Sequence, residues 1–140
     1  MFDVLGKYKN TGHFFFRPDD LMSNVCNGPT DNAGVYLVYA LKKGRIELVY
    51  IGRSGKLNPD GSLFIRKGGI KDRLVNGKRD GVLRTKFWRA EMINDEIEVL
   101  DIYWYVTELK GKIDCPDKVE EILLRTYKDI YGQRPKWNRA

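Results

Sequence analysis

The sequence predicts a protein of the α/β type, more narrowly α+β, with a small, mostly antiparallel three-stranded sheet flanked by helices. Two runs of β-branched and aromatic residues, 34–41 and 45–51, are separated by a short turn that contains glycine, as in a β-hairpin. A third run of this kind covers 97–107. Helical patterns lie between and after these runs, so the predicted order is strand, strand, helix, helix, strand, helix.

The length of 140 residues is that of one domain with a sizeable core. Residues 1–33 form a lead-in that contains the aromatic cluster 14–16 and ends in the turn-rich stretch 27–32. We expect this lead-in to act as packing material or as a surface that contacts a partner. Residues 34–140 are expected to form the part of the domain that carries the function.

The turn between the first two strands determines which side chains share a face. The sequence Lys-Lys-Gly at 42–44 suits a three-residue loop with glycine in the left-handed position. Such a loop pairs Leu41 with Arg45 and places Tyr36 directly opposite Tyr50. The predicted shared face carries Tyr36, Val38, Ala40, Ile46, Leu48 and Tyr50. A loop that is one residue longer puts the two tyrosines on opposite faces.

Three helices are predicted after the hairpin. The segment 70–76 has glycines at its entrance and its exit, and a second helix is centred on 86–92. Cys-Pro-Asp at 115–117 opens the last helix, whose apolar residues follow a helical period until Pro135 ends it.

The net charge of +6 is concentrated in the middle of the chain. Residues 34–90 contain 14 Lys and Arg but only 4 Asp and Glu. A segment with this imbalance is typical of a protein that binds a polyanion such as DNA.

The cysteines, Cys26 and Cys115, are isolated in the sequence, and His13 is the single histidine. This residue set argues against a structural zinc site. Free thiols and the absence of a long apolar run indicate a reducing cytoplasm and no membrane association.

Five short motifs follow one another in an informative order. The first two motifs, Gly34-Val35-Tyr36 and Tyr50-Ile51-Gly52, lie on the hairpin, and the third, at 71–74, reads Lys-Asp-Arg-Leu. The segment 119–124 reads Val-Glu-Glu-Ile-Leu-Leu, and 134–138 reads Arg-Pro-Lys-Trp-Asn. Together these motifs resemble the signature of the GIY-YIG nuclease family, with Val in the middle of the first motif. The resemblance spans residues 34 to 138, and the long interval between Gly52 and Arg73 is similar to that of the restriction-enzyme branch.

The resemblance implies a divalent-metal-dependent DNA endonuclease that hydrolyses phosphodiester bonds. By this resemblance, Tyr36 orients or deprotonates the attacking water and Tyr50 supports it or binds phosphate, although the two roles could be exchanged. Arg73 stabilises the charge on the phosphate. Glu120 binds one Mg²⁺ or Mn²⁺ ion, and Asn138 braces the site.

Several assignments stay open at the level of sequence. Arg66 is a rival for the role of Arg73, and Glu121 is a rival for that of Glu120. Gly77 occupies the position four residues after Arg73 where many members of the family have His or Tyr. The predicted substrate-binding residues are Gly52, Arg53, Arg66, Lys67, Lys71 and Lys78.

Two other classes of function compete with the nuclease. One is a catalytically inactive nucleic-acid-binding module on the same fold, and the other is a structural or protein-interaction domain. For the enzyme, a homodimer is an attractive assembly because its two-fold symmetry matches that of a palindromic site.

Overall fold

Residues 1–138 are described by the structure, a computed structural model, and Arg139 and Ala140 of the predicted 34–140 region lie outside the described residues. In chain order the elements are a 3₁₀ helix Asp3–Lys7, β1 Thr11–Phe16, α1 Met22–Val25, β2 Gly34–Lys42, β3 Arg45–Ser54, β4 Lys56–Leu57, β5 Leu63–Phe64, α2 Gly69–Asn76, β6 Lys78–Arg79, β7 Val82–Leu83, α3 Arg84–Asn94, β8 Val99–Val106, β9 Glu108–Leu109, β10 Lys112–Ile113 and α4 Pro116–Tyr131. The α+β class is confirmed.

The central sheet has four antiparallel strands in the order β1-β8-β2-β3. The prediction of three strands was therefore wrong, because the lead-in supplies β1. The side chains of Phe14 and Phe16 on this strand point into the core, whereas those of His13 and Phe15 point away from it. The short strands pair as three separate two-stranded hairpins outside this sheet.

The hairpin of β2 and β3 differs from the predicted register. Its loop has two residues, Lys43 and Gly44, with φ of 48° and 76°, and Lys42 pairs with Arg45. Two successive positive φ values are those of a type I′ turn, whose twist matches that of the flanking strands. The positive φ of Lys43 is what the three-residue prediction missed.

A β-bulge between Val38 and Tyr39 shifts the register once more, so that Val38 pairs with Tyr50 and Tyr36 pairs with Gly52. The turn alone would have put the tyrosines on opposite faces, and the extra residue of the bulge returns them to one face. The prediction that Tyr36 and Tyr50 share a face is confirmed, although they are diagonal neighbours rather than a direct pair.

Because of the bulge, the face of the two tyrosines carries fewer of the predicted residues. Val38 and Ala40 belong to the same buried cluster as the two tyrosines. Beyond the bulge, Leu48 belongs instead to the cluster on the opposite side of the sheet, and Ile46 is 70% exposed. Both residues were predicted to share the face of Tyr50, and that part of the prediction was wrong.

Helices cover both faces of the sheet. On the face of the two tyrosines, α2 and α3 contribute Ile70, Leu74, Trp88 and Met92 to the core. On the other face, α4 contributes residues spaced by four, namely Val119, Leu123 and Tyr127. No helix within residues 1–138 combines the length and the apolar character needed to cross a membrane.

The last helix ends earlier than predicted. Its Pro116 occupies the first turn, where a missing N–H is tolerated. Tyr131 is its final residue, and Gly132 follows with φ of 79° and donates its N–H to the carbonyl of Lys128. Glycine in the left-handed conformation ends the helix, so Pro135 is not the terminator.

Candidate active site

A cavity of about 430 Å³ opens beside the end of β3, between α2, the start of α3 and α4. Its lining includes five cationic side chains: Arg53, Lys56, Arg66, Arg73 and Arg84. Among the described residues that line it, Glu120 is the single carboxylate, and Tyr50 and Ser54 contribute hydroxyl groups. A concave surface with this excess of positive charge suits a multivalent anion.

The two tyrosines occupy different depths of the site. Tyr50 lines the cavity, and its ring centre lies 6.0 Å from that of Tyr36. Tyr36 is fully buried behind it, against Gly52. A Cβ atom at Gly52 would come within 2.5 Å of the Tyr36 hydroxyl oxygen, so glycine is required there by the close approach of the ring.

Arg84, the first residue of α3, contacts Tyr50 in two ways. Its guanidinium donates a hydrogen bond to the Tyr50 hydroxyl and lies 5.3 Å from the centre of the ring. Burial raises the pKa of Tyr50 above its ordinary value, and the neighbouring Tyr36 adds to this, while Arg84 and Arg73 act in the opposite direction. At neutral pH, Tyr50 is therefore an uncharged phenol that accepts from Arg84 and can donate its own hydrogen.

Glu120 and Glu121 lie in different environments, although they are adjacent in the sequence. Glu120 lines the cavity and accepts from Nε of Arg53 at 3.3 Å. Burial raises the pKa of its carboxyl, while the charges of Arg53, Arg73 and Arg84 lower it in part. Glu121 is 67% exposed in its side chain and pairs with Arg125 on the same helix, so it is turned away from the cavity.

Arg73 and Arg66 both line the cavity, so the structure brings together the two rivals for one role. Arg66 is held by Asp72, with Nε 2.6 Å from a carboxylate oxygen. Hydrogen bonds from Asn76 and Arg66 lower the pKa of Asp72. Arg73 differs because its Nε is buried without a hydrogen-bond partner among the described residues.

Unpartnered buried polar atoms are concentrated at this site. Five side-chain atoms within residues 1–138 are buried without a hydrogen-bond partner: Ser54 Oγ, Arg73 Nε, Arg84 Nε, the Tyr36 hydroxyl and Trp137 Nε1. Buried polar groups are nearly always paired, and leaving one unpaired costs about 1–3 kcal/mol. Three of these groups belong to residues that line one cavity, which is the pattern expected where a polar ligand completes the hydrogen bonding.

Asn138 forms hydrogen bonds with the backbone of β3, which is one of the two edge strands of the central sheet. Its side-chain oxygen accepts from the N–H of Ile51 at 3.0 Å, and its amide nitrogen donates to the Ile51 carbonyl at 2.9 Å. The N–H of Trp137 donates to the carbonyl of Val49 at 2.8 Å. The two residues thus continue the hydrogen bonding of the sheet at the edge next to Tyr50.

The predicted substrate-binding residues are only partly gathered at the cavity. Arg53 and Arg66 line it, and Gly52 lies behind it. Lys67 is exposed outside the lining, and the charge of Lys71 acts on the buried thiol of Cys26, away from the cavity. Lys78 lines a neighbouring cavity that also reaches Tyr50.

The oxygen donors of the cavity suit a hydrated divalent metal ion. Within residues 1–138, no three His, Cys, Asp or Glu side chains are placed together so that they could hold a metal by themselves. A Mg²⁺ ion that keeps several waters needs only one or two carboxylates and the oxygens of a substrate phosphate. Glu120, together with the unpartnered hydroxyl of Ser54 in the same cavity, fits this smaller requirement.

The sequence alone did not point to Ser54 or Arg84 as site residues. Arg84 is the more consequential of the two because it contacts Tyr50. Arg84 follows the β6–β7 hairpin and begins α3. A cation at that end of a helix is unfavourable because the helix dipole is positive there. The available signal was a basic residue just before the helix predicted around 86–92, with no acidic residue in the first turn of the observed helix.

Comparisons of this chain with protein-family models, with curated proteins and with solved structures gave no significant match.

Proposed function

We propose that this protein is a divalent-metal-dependent DNA endonuclease of the GIY-YIG type. The observation that supports the proposal most strongly is the single cavity in which Tyr50, Arg73 and Glu120 meet, with Tyr36 directly behind. The three residues of the cavity lie on three separate elements, β3, α2 and α4. Their order along the chain is also the basis of the family resemblance.

In this proposal the guanidinium groups bind the phosphate. Arg73 and Arg84 each present a buried Nε that has no hydrogen-bond partner among the described residues. Guanidinium groups match the oxygens of a phosphate and stabilise the charge that develops as water attacks phosphorus and a bridging P–O bond breaks. Arg66 adds a third cation, already oriented by Asp72.

Glu120 would hold the metal ion through its carboxylate. The ion, when bound, would polarise the phosphate and assist the departure of the leaving oxygen. The Glu120 oxygen that accepts from Arg53 would have to be shared or released when the ion binds. Arg53 would then be free to contact the substrate, which agrees with the substrate-binding role predicted for it.

The depth of the two tyrosines supports an exchange of the roles first assigned to them. Tyr50 reaches the cavity wall and, as a neutral phenol, can donate to a phosphate oxygen or to the attacking water. Tyr36 is buried behind it and supports its position. We therefore assign the direct contact with the reacting groups to Tyr50.

The test is cleavage of supercoiled plasmid in Mg²⁺ or Mn²⁺ by wild type, Glu120→Gln and the control Glu121→Gln. Nicked or linear products from wild type and Glu121→Gln, but not from Glu120→Gln, are expected. Linear products of discrete length would indicate concerted cuts such as a homodimer makes. Absence of cleavage by wild type on plasmid, branched and single-stranded DNA would overturn the proposal.

A catalytically inactive nucleic-acid-binding module is the second candidate, and two observations favour it. The ion pair of Arg53 and Glu120 engages the carboxylate, and Gly77 provides no side chain that could transfer a proton. In that case wild type and Glu120→Gln would both bind DNA, with an affinity that falls steeply with salt. Neither would cleave it with any divalent ion.

A further inference from the structure

A second cavity, of about 350 Å³, shares Tyr50 and Arg84 with the first. Since these two residues line both cavities, they form the partition between them. The remaining charged residues of the second cavity are Lys78, Arg79, Asp80 and Arg134. Positive charge again exceeds negative charge, even when Arg84 is assigned to the first cavity alone.

The side chain of Arg79 is held in position before any ligand binds. Its guanidinium carbon lies 5.0 Å from the centre of the Phe87 ring, and Nη1 donates to the carbonyl of Trp137 at 3.5 Å. Arg79 also belongs to the β6–β7 hairpin, whose Asp80-Gly81 turn has positive φ at both residues. A guanidinium fixed in this way loses little conformational freedom when it binds an anion.

We propose that the second cavity binds another phosphate of the same nucleic-acid strand, next to the phosphate that is cleaved. This inference rests on the proposed function of the first cavity. The repeating phosphates of a polynucleotide require adjacent anion sites in register, and two cationic cavities that share one wall provide them. Lys78 and Arg79 are the residues that recognise the second phosphate, and Arg84 contributes to both sites.

The experiment uses oligonucleotides in which one phosphate at a time is replaced by a neutral methylphosphonate. Cleavage rates are measured in Mg²⁺, and binding constants are measured by fluorescence anisotropy without divalent metal ion. Wild type, Arg79→Gln, Lys78→Gln and the control Arg125→Gln are compared. Arg125 is exposed and pairs with Glu121 away from the cavities, so its variant should behave as wild type.

A methylphosphonate at one position beside the cleaved phosphate should weaken binding by wild type about tenfold. Arg79→Gln should weaken binding of the natural substrate by a similar factor. The two losses should not add when variant and modified substrate are combined, because they remove the same contact. Lys78→Gln should show the same coupling with the modified substrate. Because the side chain of Lys78 is exposed, this variant removes the contact without disturbing the fold.

If the loss of affinity from Arg79→Gln adds to the loss from the methylphosphonate at every position of the oligonucleotide, the second phosphate site is wrong. Binding with this coupling but without cleavage would keep the second site and refute the nuclease. Absence of DNA binding by wild type would refute both.

Discussion

The guanidinium of Arg84 donates to the hydroxyl of Tyr50 and also lies over its ring, at 5.3 Å from the ring centre. The hydroxyl oxygen is thus occupied as an acceptor, and its hydrogen remains available for donation into the cavity. Because burial raises the pKa of Tyr50 despite this cation, the residue is a donor at neutral pH rather than a base.

Replacing Arg84 with Gln should lower the single-turnover cleavage rate by about ten- to a hundredfold, the cost of losing a charged hydrogen bond. The melting temperature should change little, because relief of a cation at the positive end of α3 offsets the lost bond. Cleavage kinetics and thermal unfolding measure the two effects. Lys86→Gln, exposed on the same helix, is the control. Equal rates for Arg84→Gln and wild type would show that neither Tyr50 nor the phosphate needs the cation of Arg84.

Glu120→Gln should be more stable than wild type at pH 7, with a free energy of unfolding about 1 kcal/mol higher, although the substitution abolishes cleavage. The folded state raises the pKa of Glu120 above its ordinary value of 4.5, so the ionised carboxyl costs stability above that folded pKa. As the pH falls through the folded pKa the wild-type carboxyl becomes protonated, and below 4.5 the cost is gone.

Urea unfolding between pH 4 and pH 8 measures this difference, which should shrink toward the acid end. Glu121→Gln is the matched control, since Glu121 is exposed and pairs with Arg125. Its difference from wild type should stay within about 0.5 kcal/mol across the range. A Glu120→Gln variant less stable than wild type at pH 7 would mean that the ion pair with Arg53 outweighs the cost of burial.

The hairpin shows why a sequence can predict a shared face and still miss the register. The strands were evident from their β-branched residues, and the turn from Gly44. A positive φ at Lys43 and a bulge opposite Val38 are each decided by tertiary fit, because no residue type in the segment demands them. Their two register shifts combine to preserve the face shared by Tyr36 and Tyr50.

Site residues were predictable from the sequence where a motif pointed to one residue. They were not predictable where the role depends on contacts with residues far away in the sequence. The depth of Tyr36 behind Gly52 was not predictable, since it depends on packing. The contact of Arg84 with Tyr50 joins residues 34 apart in the sequence. Nothing in the local pattern connects them, because the β6–β7 hairpin sets the start of α3.

The lead-in strand was missed for a related reason. The sequence Thr-Gly-His-Phe-Phe-Phe at 11–16 alternates only weakly, since three consecutive aromatic residues hide the two-residue period. Pairing with β8 places Phe14 and Phe16 inside and Phe15 outside.

Phe16→Ala should therefore destabilise the protein by about 3–5 kcal/mol, which is the cost of truncating a fully buried phenylalanine. Phe15→Ala on the same strand removes a side chain that is 42% exposed and should cost much less. Chemical denaturation of the two variants measures the contrast. Similar small losses for both would show that the lead-in is not part of the cooperative core.

Gly52→Ala should displace Tyr36, because the new methyl group would overlap its ring and hydroxyl. We expect a loss of about 1–3 kcal/mol in the free energy of unfolding, as for overpacked cores, together with reduced cleavage. Gly6→Ala is the control, because a Cβ atom there meets no atom within 4 Å. Wild-type stability and activity in Gly52→Ala would indicate that the Tyr36 ring can move without cost.

Asn138→Ala removes both hydrogen bonds between the side-chain amide and the backbone of Ile51. We expect a loss of about 1–2 kcal/mol, since water replaces the amide only partly at this half-buried edge. The sharper measurement is hydrogen exchange of the Ile51 amide, which should become faster in Asn138→Ala but stay unchanged in Gln133→Ala, an exposed residue of the same segment. If the Ile51 amide exchanges at the wild-type rate in both variants, Asn138 does not protect the edge of β3, and its bracing role at the site is wrong.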